Sequence, residues 1–192
     1  MALDTKDRII ETTAALFRRH GYTGTGMKQV VQAANAPFGS LYHHFPGGKE
    51  ELGREVILRG GAMYAELFAE VARQAEGPLE YVRDVFEGAA TTLVESGYED
   101  ACPIETVALE VASTNEPLRL ATAEVFESWI DGWTMYLERR AGLDHDRARA
   151  LGIEFLSAME GAFVLCRALR SPEPMRLAGA AAVERLRDAL AA

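Results

Sequence analysis

The stretch APFGSLYHHFPGGKEEL, residues 36–52, sets Tyr42, His43, His44 and Phe45 in four consecutive positions between a proline and a Gly-Gly-Lys. Pro37 suits the first turn of a helix and Pro46-Gly47-Gly48 breaks one, so 37–44 reads as a helix of two turns. A helix that short is not stable alone in water. It must be held by Leu41 and Phe45 packing on other elements, and the upstream sequence supplies two. Over 5–20 the apolar Ile9, Ile10, Ala14, Leu16 and Phe17 share a face opposite Arg8, Glu11, Arg18 and Arg19, and Gly21 ends that helix as a C′ residue. Thr25 is the expected N-cap of a second helix, 27–34, whose apolar face is Met27, Val30, Val31 and Ala34. Asn35 can take the left-handed conformation that ends it. Three short helices joined by a tight turn make a helix-turn-helix with a supporting first helix.

Lys49 opens a long helix to about residue 75, and longer helices follow over about 78–96, 103–113, 117–141, 145–170 and 174–191. Their breaks are Gly97, Cys102-Pro103, Glu116-Pro117, Gly142 and Ser171-Pro172-Glu173-Pro174. No strand pattern and no internal repeat is present. The predicted fold is all-α: an N-terminal three-helix helix-turn-helix domain, residues 1–50, followed by a C-terminal helical bundle, residues 51–192, that dimerises. Dimerisation is read from helix 145–170, where from Leu151 to Leu169 only Glu154, Ser157, Glu160 and Arg167 interrupt apolar or small residues. A helix apolar nearly all round is buried on both sides; in this chain the expected second partner is another subunit, the alternative being a central helix of a monomeric bundle. Gly152, Ala158, Gly161 and Ala162 allow close approach.

The 192 residues are 48% hydrophobic and 26% charged, the balance of a soluble globule. The start, MALDTKDRII, has no apolar leader core, and no run reaches the ~18 apolar residues of a membrane span, so a cytoplasmic protein is expected. Cys102 and Cys166 stand apart without a CxxC and read as buried thiols; His20, His43, His44 and His145 form no HxxxH pair. No metal or cofactor is expected. Enzyme motifs fail too. A dinucleotide fingerprint in GYTGTGMKQ would need glycine at Gln29, and a P-loop ending in PGGKE would need glycine at His43 and Ser/Thr at Glu50. The net charge of −9 is uneven: residues 1–54 hold seven Lys/Arg against five Asp/Glu, the remainder 13 against 24. The first quarter therefore has a different partner from the rest. A helical adaptor that binds no DNA would share this fold class, and an electrophoretic shift separates the two.

From Ile9 to Leu52 the sequence IIETTAALFRRHGYTGTGMKQVVQAANAPFGSLYHHFPGGKEEL resembles the DNA-binding domain of the TetR family of bacterial repressors. The residues that carry the resemblance are Ile9, Ala14, Leu16, Phe17, Gly21, Tyr22, Thr25, Val30, Ala34, Gly39, Leu41, Tyr42, His43, Phe45, Lys49 and Leu52. ANAPFGSLYHHFPGGKEEL and, downstream, ACPIETVALEVA look like the LmrA/YxaF-type branch. The pattern departs at Asn35, where the family has a turn glycine, and at Pro37, where a serine often caps the recognition helix. Gly26 replaces a common small hydroxyl residue, and Phe38 holds a position that is often basic or polar.

In a helix-turn-helix the second helix enters the major groove, its first residues meeting base edges. Pro37, Phe38, Gly39, Ser40 and His43 are the candidates: Gly39 for close backbone approach, Ser40 as donor or acceptor, Pro37 and Phe38 for thymine methyls. None is an Arg or Asn fork, so DNA shape must supply part of the specificity. The resemblance implies that Thr25, Tyr42 and Lys49 hold phosphates, and Lys28 projects from the second helix to join them. It also implies a homodimer on a palindromic double-stranded operator, released when a small-molecule effector changes the separation of the two heads. For that effector Phe126, Trp129 and Trp133 on one helix and Met159, Phe163 and Cys166 on the next offer an aromatic and apolar site, with Glu110 and Glu160 to orient it; the alternative for each apolar residue is plain core. No basic cluster is evident there, which favours a neutral or cationic aromatic molecule.

Overall fold

The structure is a computed structural model and describes residues 4–191; the first three residues of the MALDTKDRII start and residue 192 lie outside that range. Among the described residues the chain forms nine α-helices and no strand: α1 Thr5–His20, α2 Met27–Ala33, α3 Phe38–His44, α4 Gly48–Gln74, α5 Pro78–Glu95, α6 Pro103–Val111, α7 Glu116–Ala141, α8 His145–Leu169 and α9 Glu173–Ala191. The all-α expectation holds, and so do most of the breaks. Gly21 ends α1 at φ 71° with its N–H on the Phe17 carbonyl, and Asn35 follows α2 at φ 47°. Two caps differ from the sequence reading. Gly26, not Thr25, is the N-cap of α2 and makes no side-chain bond, while Pro37 precedes α3 as its N-cap rather than opening its first turn.

The chain divides into two compact units, Met1–Met63 with Cys102–Val125, and Tyr64–Ala101 with Phe126–Ala192. The unit that holds the three short helices is thus larger than residues 1–50. The reason lies in α4, which buries Leu52, Gly53, Val56, Ile57 and Gly61 on one face. Its Gly53 lies against Leu118, its Gly60 against Ile104, and a methyl group placed on Gly61 would come within 2.5 Å of Val125. These small residues let α6 and the start of α7 close on α4. In the same unit α1 packs on α2, α3 and α6, and Ile9, Phe17, Val30, Leu41, Phe45 and Leu52 are 0–1% exposed.

In the second unit α9 packs on both α5 and α8 around Val82, Phe86, Leu93, Leu151, Phe155 and Leu186. Met159 and Cys166 belong to this core and Phe163 packs against it, so the row they form on α8 faces neighbouring helices. The opposite side of α8 is apolar yet open, with Ile153, Val164, Leu165 and Leu169 from 43% to 64% exposed.

Contact between α5 and α9 is closest at Gly179, where an added Cβ would lie 2.6 Å from the Phe86 Cβ. That atom is fixed to the α5 backbone and cannot rotate away, so Gly179→Ala must spread the two helices. Overpacking of this kind costs roughly 1–3 kcal/mol, against a helix-propensity gain of about 1 kcal/mol. A lower urea midpoint at unchanged slope is the expected result; a raised midpoint would show that the helices are not this close.

Candidate nucleic-acid interface and effector cleft

Burial of Leu41 and Phe45 turns the other side of α3 outward. Phe38 and Tyr42, one turn apart, are 47% and 48% exposed with ring centroids 5.6 Å from one another. Pro37, Gly39 and His43 are exposed, and a Cβ on Gly39 would meet nothing within 4 Å. Ser40 is half-buried, with its N–H donating to the Pro37 carbonyl at 3.0 Å. His44 turns partly inward between the rings of His43 and Phe45. On α2 Lys28 is exposed, flanked by the exposed Gln29. A short helix thus offers aromatic, small and polar groups to solvent with no carboxylate among them.

Thr25 does not join this face. It is 1% exposed, and its hydroxyl donates to the Gly21 carbonyl at 2.7 Å, so the group that resemblance assigns to a phosphate closes the turn between α1 and α2. Lys49, in the first turn of α4, lies with its Nζ 4.4 Å from the centroid of the Tyr22 ring. Tyr22 itself stands edge-on to Phe17 at 5.7 Å. Burial pulls the Lys49 ammonium below the usual lysine range, and the nearby Glu110 carboxylate partly offsets this.

Glu110 was expected among effector contacts, but it belongs to the first unit. From α6 its carboxylate accepts the Thr23 N–H at 2.6 Å and lies against Gly21, whose left-handed φ and lack of a side chain leave room for it. Beside it the Asn115 side chain donates to the Glu50 carboxylate at 2.7 Å. Neither Tyr22 nor Glu110 was read from the sequence as a neighbour of Lys49. Tyr22, an aromatic directly after a helix-stop glycine, carried a local signal; Glu110 carried none.

The second unit holds a cleft of about 360 Å³ lined by the end of α4, by Tyr81 of α5 and by α7. Trp129 and Trp133 both face it. Trp129 meets the rings of Tyr64, Phe68 and Phe126 edge-on at 5.8–6.0 Å, and Trp133 meets Tyr81 at 4.6 Å. Phe126 therefore supports Trp129 from behind and does not line the cleft. Met159, Phe163 and Cys166 do not line it either, because the side of α8 that carries them packs into the core, and half-buried Glu160 is not among its lining residues. Burial pushes the Cys166 thiol up. The expected absence of basic groups is also overturned: Arg73, Arg139 and Arg140 stand at the cleft. Among the described residues no three His, Cys, Asp or Glu side chains gather as a metal site, and no helix is long and apolar enough to cross a membrane.

Residues 9–56 match the family described as bacterial regulatory proteins, tetR family, and residues 78–181 match the C-terminal domain of LmrA/YxaF-like transcriptional regulators. The HTH-type transcriptional regulator YxaF of Bacillus subtilis is 31% identical over 174 residues, 91% of each chain. LmrA of the same organism is 29% identical over 179 residues, 90% of this chain and 91% of its own. Among solved structures, a TetR transcriptional regulator from Legionella pneumophila superposes with a TM-score of 0.85 at 23% identity, covering 96% of this chain and 98% of its own. These relatives are regulators and not enzymes. The second match alone spans more than half of the sequence, and the chain belongs to the TetR family of transcriptional regulators, in its LmrA/YxaF-like branch, with a DNA-binding helix-turn-helix at its N-terminal end.

Proposed function

We propose that the chain is a cytoplasmic, homodimeric repressor that binds a palindromic operator and leaves it when a small aromatic molecule fills the cleft beside Trp129 and Trp133. The outward face of α3 carries this reading. Its exposed Pro37, Phe38, Gly39, Tyr42 and His43 fit a helix that lies in a major groove, with half-buried Ser40 at its edge. Tyr42, Lys28 and Lys49 serve the phosphates, Lys49 with help from the positive end of α4. To do so Lys49 must exchange Tyr22 and Glu110 for a phosphate. The exposed apolar row of α8, together with Leu177 and Leu190 of α9, supports pairing of two copies through these helices. Two α3 helices would then reach half-sites about one helical turn, ~34–36 Å, or a little more apart. For release, the ligand must bind the DNA-free state more tightly, by about 10⁴-fold for near-complete switching.

A titration of operator affinity against salt tests the DNA face. Lys28→Ala and Lys49→Ala should each weaken all sequences alike and flatten the log-log salt slope by about 2 per dimer, one phosphate from each head. Ser40→Ala should instead change preference at one base position by ~1–3 kcal/mol. Binding that ignores salt would remove the phosphate roles.

The dimer is tested at Gly161, which is exposed on α8 and where an added Cβ meets nothing within 4 Å of its own chain. Gly161→Glu should therefore leave the protomer folded and place a charge in the pairing face. Sedimentation should show a dimer for the parent and a monomer for the variant at micromolar concentration. A monomeric parent would sink the α8–α9 assignment.

A further inference from the structure

Taking the cleft as the effector site, we propose that its ligand is a planar aromatic carboxylate, its rings held against Trp129 and Trp133 and its anionic end met by Arg139 and the Tyr136 hydroxyl. The cleft changes character in helical steps along α7. Trp129 and Trp133, only 3% and 2% exposed, border the cleft beside Gly132, which has open space over it, and Tyr136, Arg139 and Arg140 follow within two turns on the same side. A flat ring laid over the glycine meets the edges of the aromatic rings that border it.

The polar end lacks a partner within the protein. The Tyr136 hydroxyl makes no hydrogen bond, a costly state for a buried phenol, and it is enclosed, so the ligand must displace its cover to reach it. Burial holds its pKa above the usual tyrosine range, so at neutral pH it keeps its proton and can donate. The three arginines differ in what they already hold. Arg73 is taken by Glu66 and Glu70, and Arg140 gives one N–H to the Glu76 carbonyl at 3.3 Å. Arg139 is exposed and, among the described residues, forms neither an ion pair nor a hydrogen bond. A free guanidinium fork and a neutral hydroxyl donor together match the two oxygens of a carboxylate. They offer nothing to a cation. The walls come from helix interiors, whose backbone N–H groups are spent, so a phosphate would lack the amide cradle it usually needs.

The test uses the full chain and two probes of the same shape, 2-naphthoate and 2-naphthamide, titrated by calorimetry at one ionic strength. Both tryptophans of the chain line the cleft, so quenching of their fluorescence reports binding there. The parent should bind the acid about tenfold or more tightly than the amide, the worth of a charge-assisted hydrogen bond. Arg139→Gln, at an exposed residue that holds nothing else, should bring the acid to within about twofold of the amide and leave the amide unchanged, and Tyr136→Phe should weaken the acid. Gly132→Leu, checked for helicity by circular dichroism, should abolish both by filling the space. Equal or tighter amide binding that Gly132→Leu still abolishes would overturn the anionic ligand and keep the cleft as an effector site. Absence of binding by both probes, or binding that Gly132→Leu leaves intact, would overturn the cleft itself and this proposal with it.

Discussion

A helix of seven residues cannot hold its own shape in water, and α3 is such a helix. Its conformation is imposed by burial of Leu41 and Phe45 against the first two helices, at 0% and 1% exposure. Which groups it shows to solvent is fixed by the same contact. Two inward positions four residues apart leave Phe38, Gly39, Tyr42 and His43 facing out. Loosening that packing would not trim the recognition face; it would dissolve it. The core beneath α3 is therefore part of the proposed DNA site, although no core residue need touch DNA.

Lys49 shows how the same unit manages charge. An ammonium half withdrawn from water costs free energy unless something replaces the lost solvation. Here the Tyr22 ring and the Glu110 carboxylate share that task, and Glu110 is in turn fixed by the Thr23 N–H. Neither partner is a tight ion pair, so the lysine keeps its charge for the phosphate role proposed above. A closer carboxylate would hold it permanently. The α6 segment thus stabilises the α1–α2 turn while leaving the cation available.

The helices and their ends were legible because each boundary carries a local chemical reason: left-handed Gly21, Asn35 and Gly142, and prolines at the start of α5 and α6. The exposed side of α3 was legible for the same reason, since periodicity alone divides α3 into inside and outside. Lateral neighbours were not. Periodicity shows that Met159, Phe163 and Cys166 share a face, but a core and a ligand wall produce the same row, and only the packing of α8 on α9 decides for the core. Arg73 and Arg139 are far apart in sequence and meet at one cleft through the pairing of α4 with α7, which no single-helix pattern reveals. Thr25 is a different case: its hydroxyl donates to the Gly21 carbonyl four residues back, a bond that no apolar pattern signals.

The composition of α3 and the proposed release by ligand have one physical origin. In the proposed dimer, heads without an Arg or Asn fork would discriminate bases weakly, so affinity for an operator would come largely from two heads engaging at once. Simultaneous engagement is worth about 10²–10⁴-fold when the spacing matches the site, and it vanishes when the spacing does not. That upper value is the size of preference which near-complete switching requires. A strongly reading head would keep much of its grip after the spacing changed, and the ligand would have to overcome each contact separately. A weakly reading head lets a change of spacing alone release the pair. Phe38 and Gly39 in place of basic forks are therefore suited to a regulator whose DNA affinity must be lost all at once.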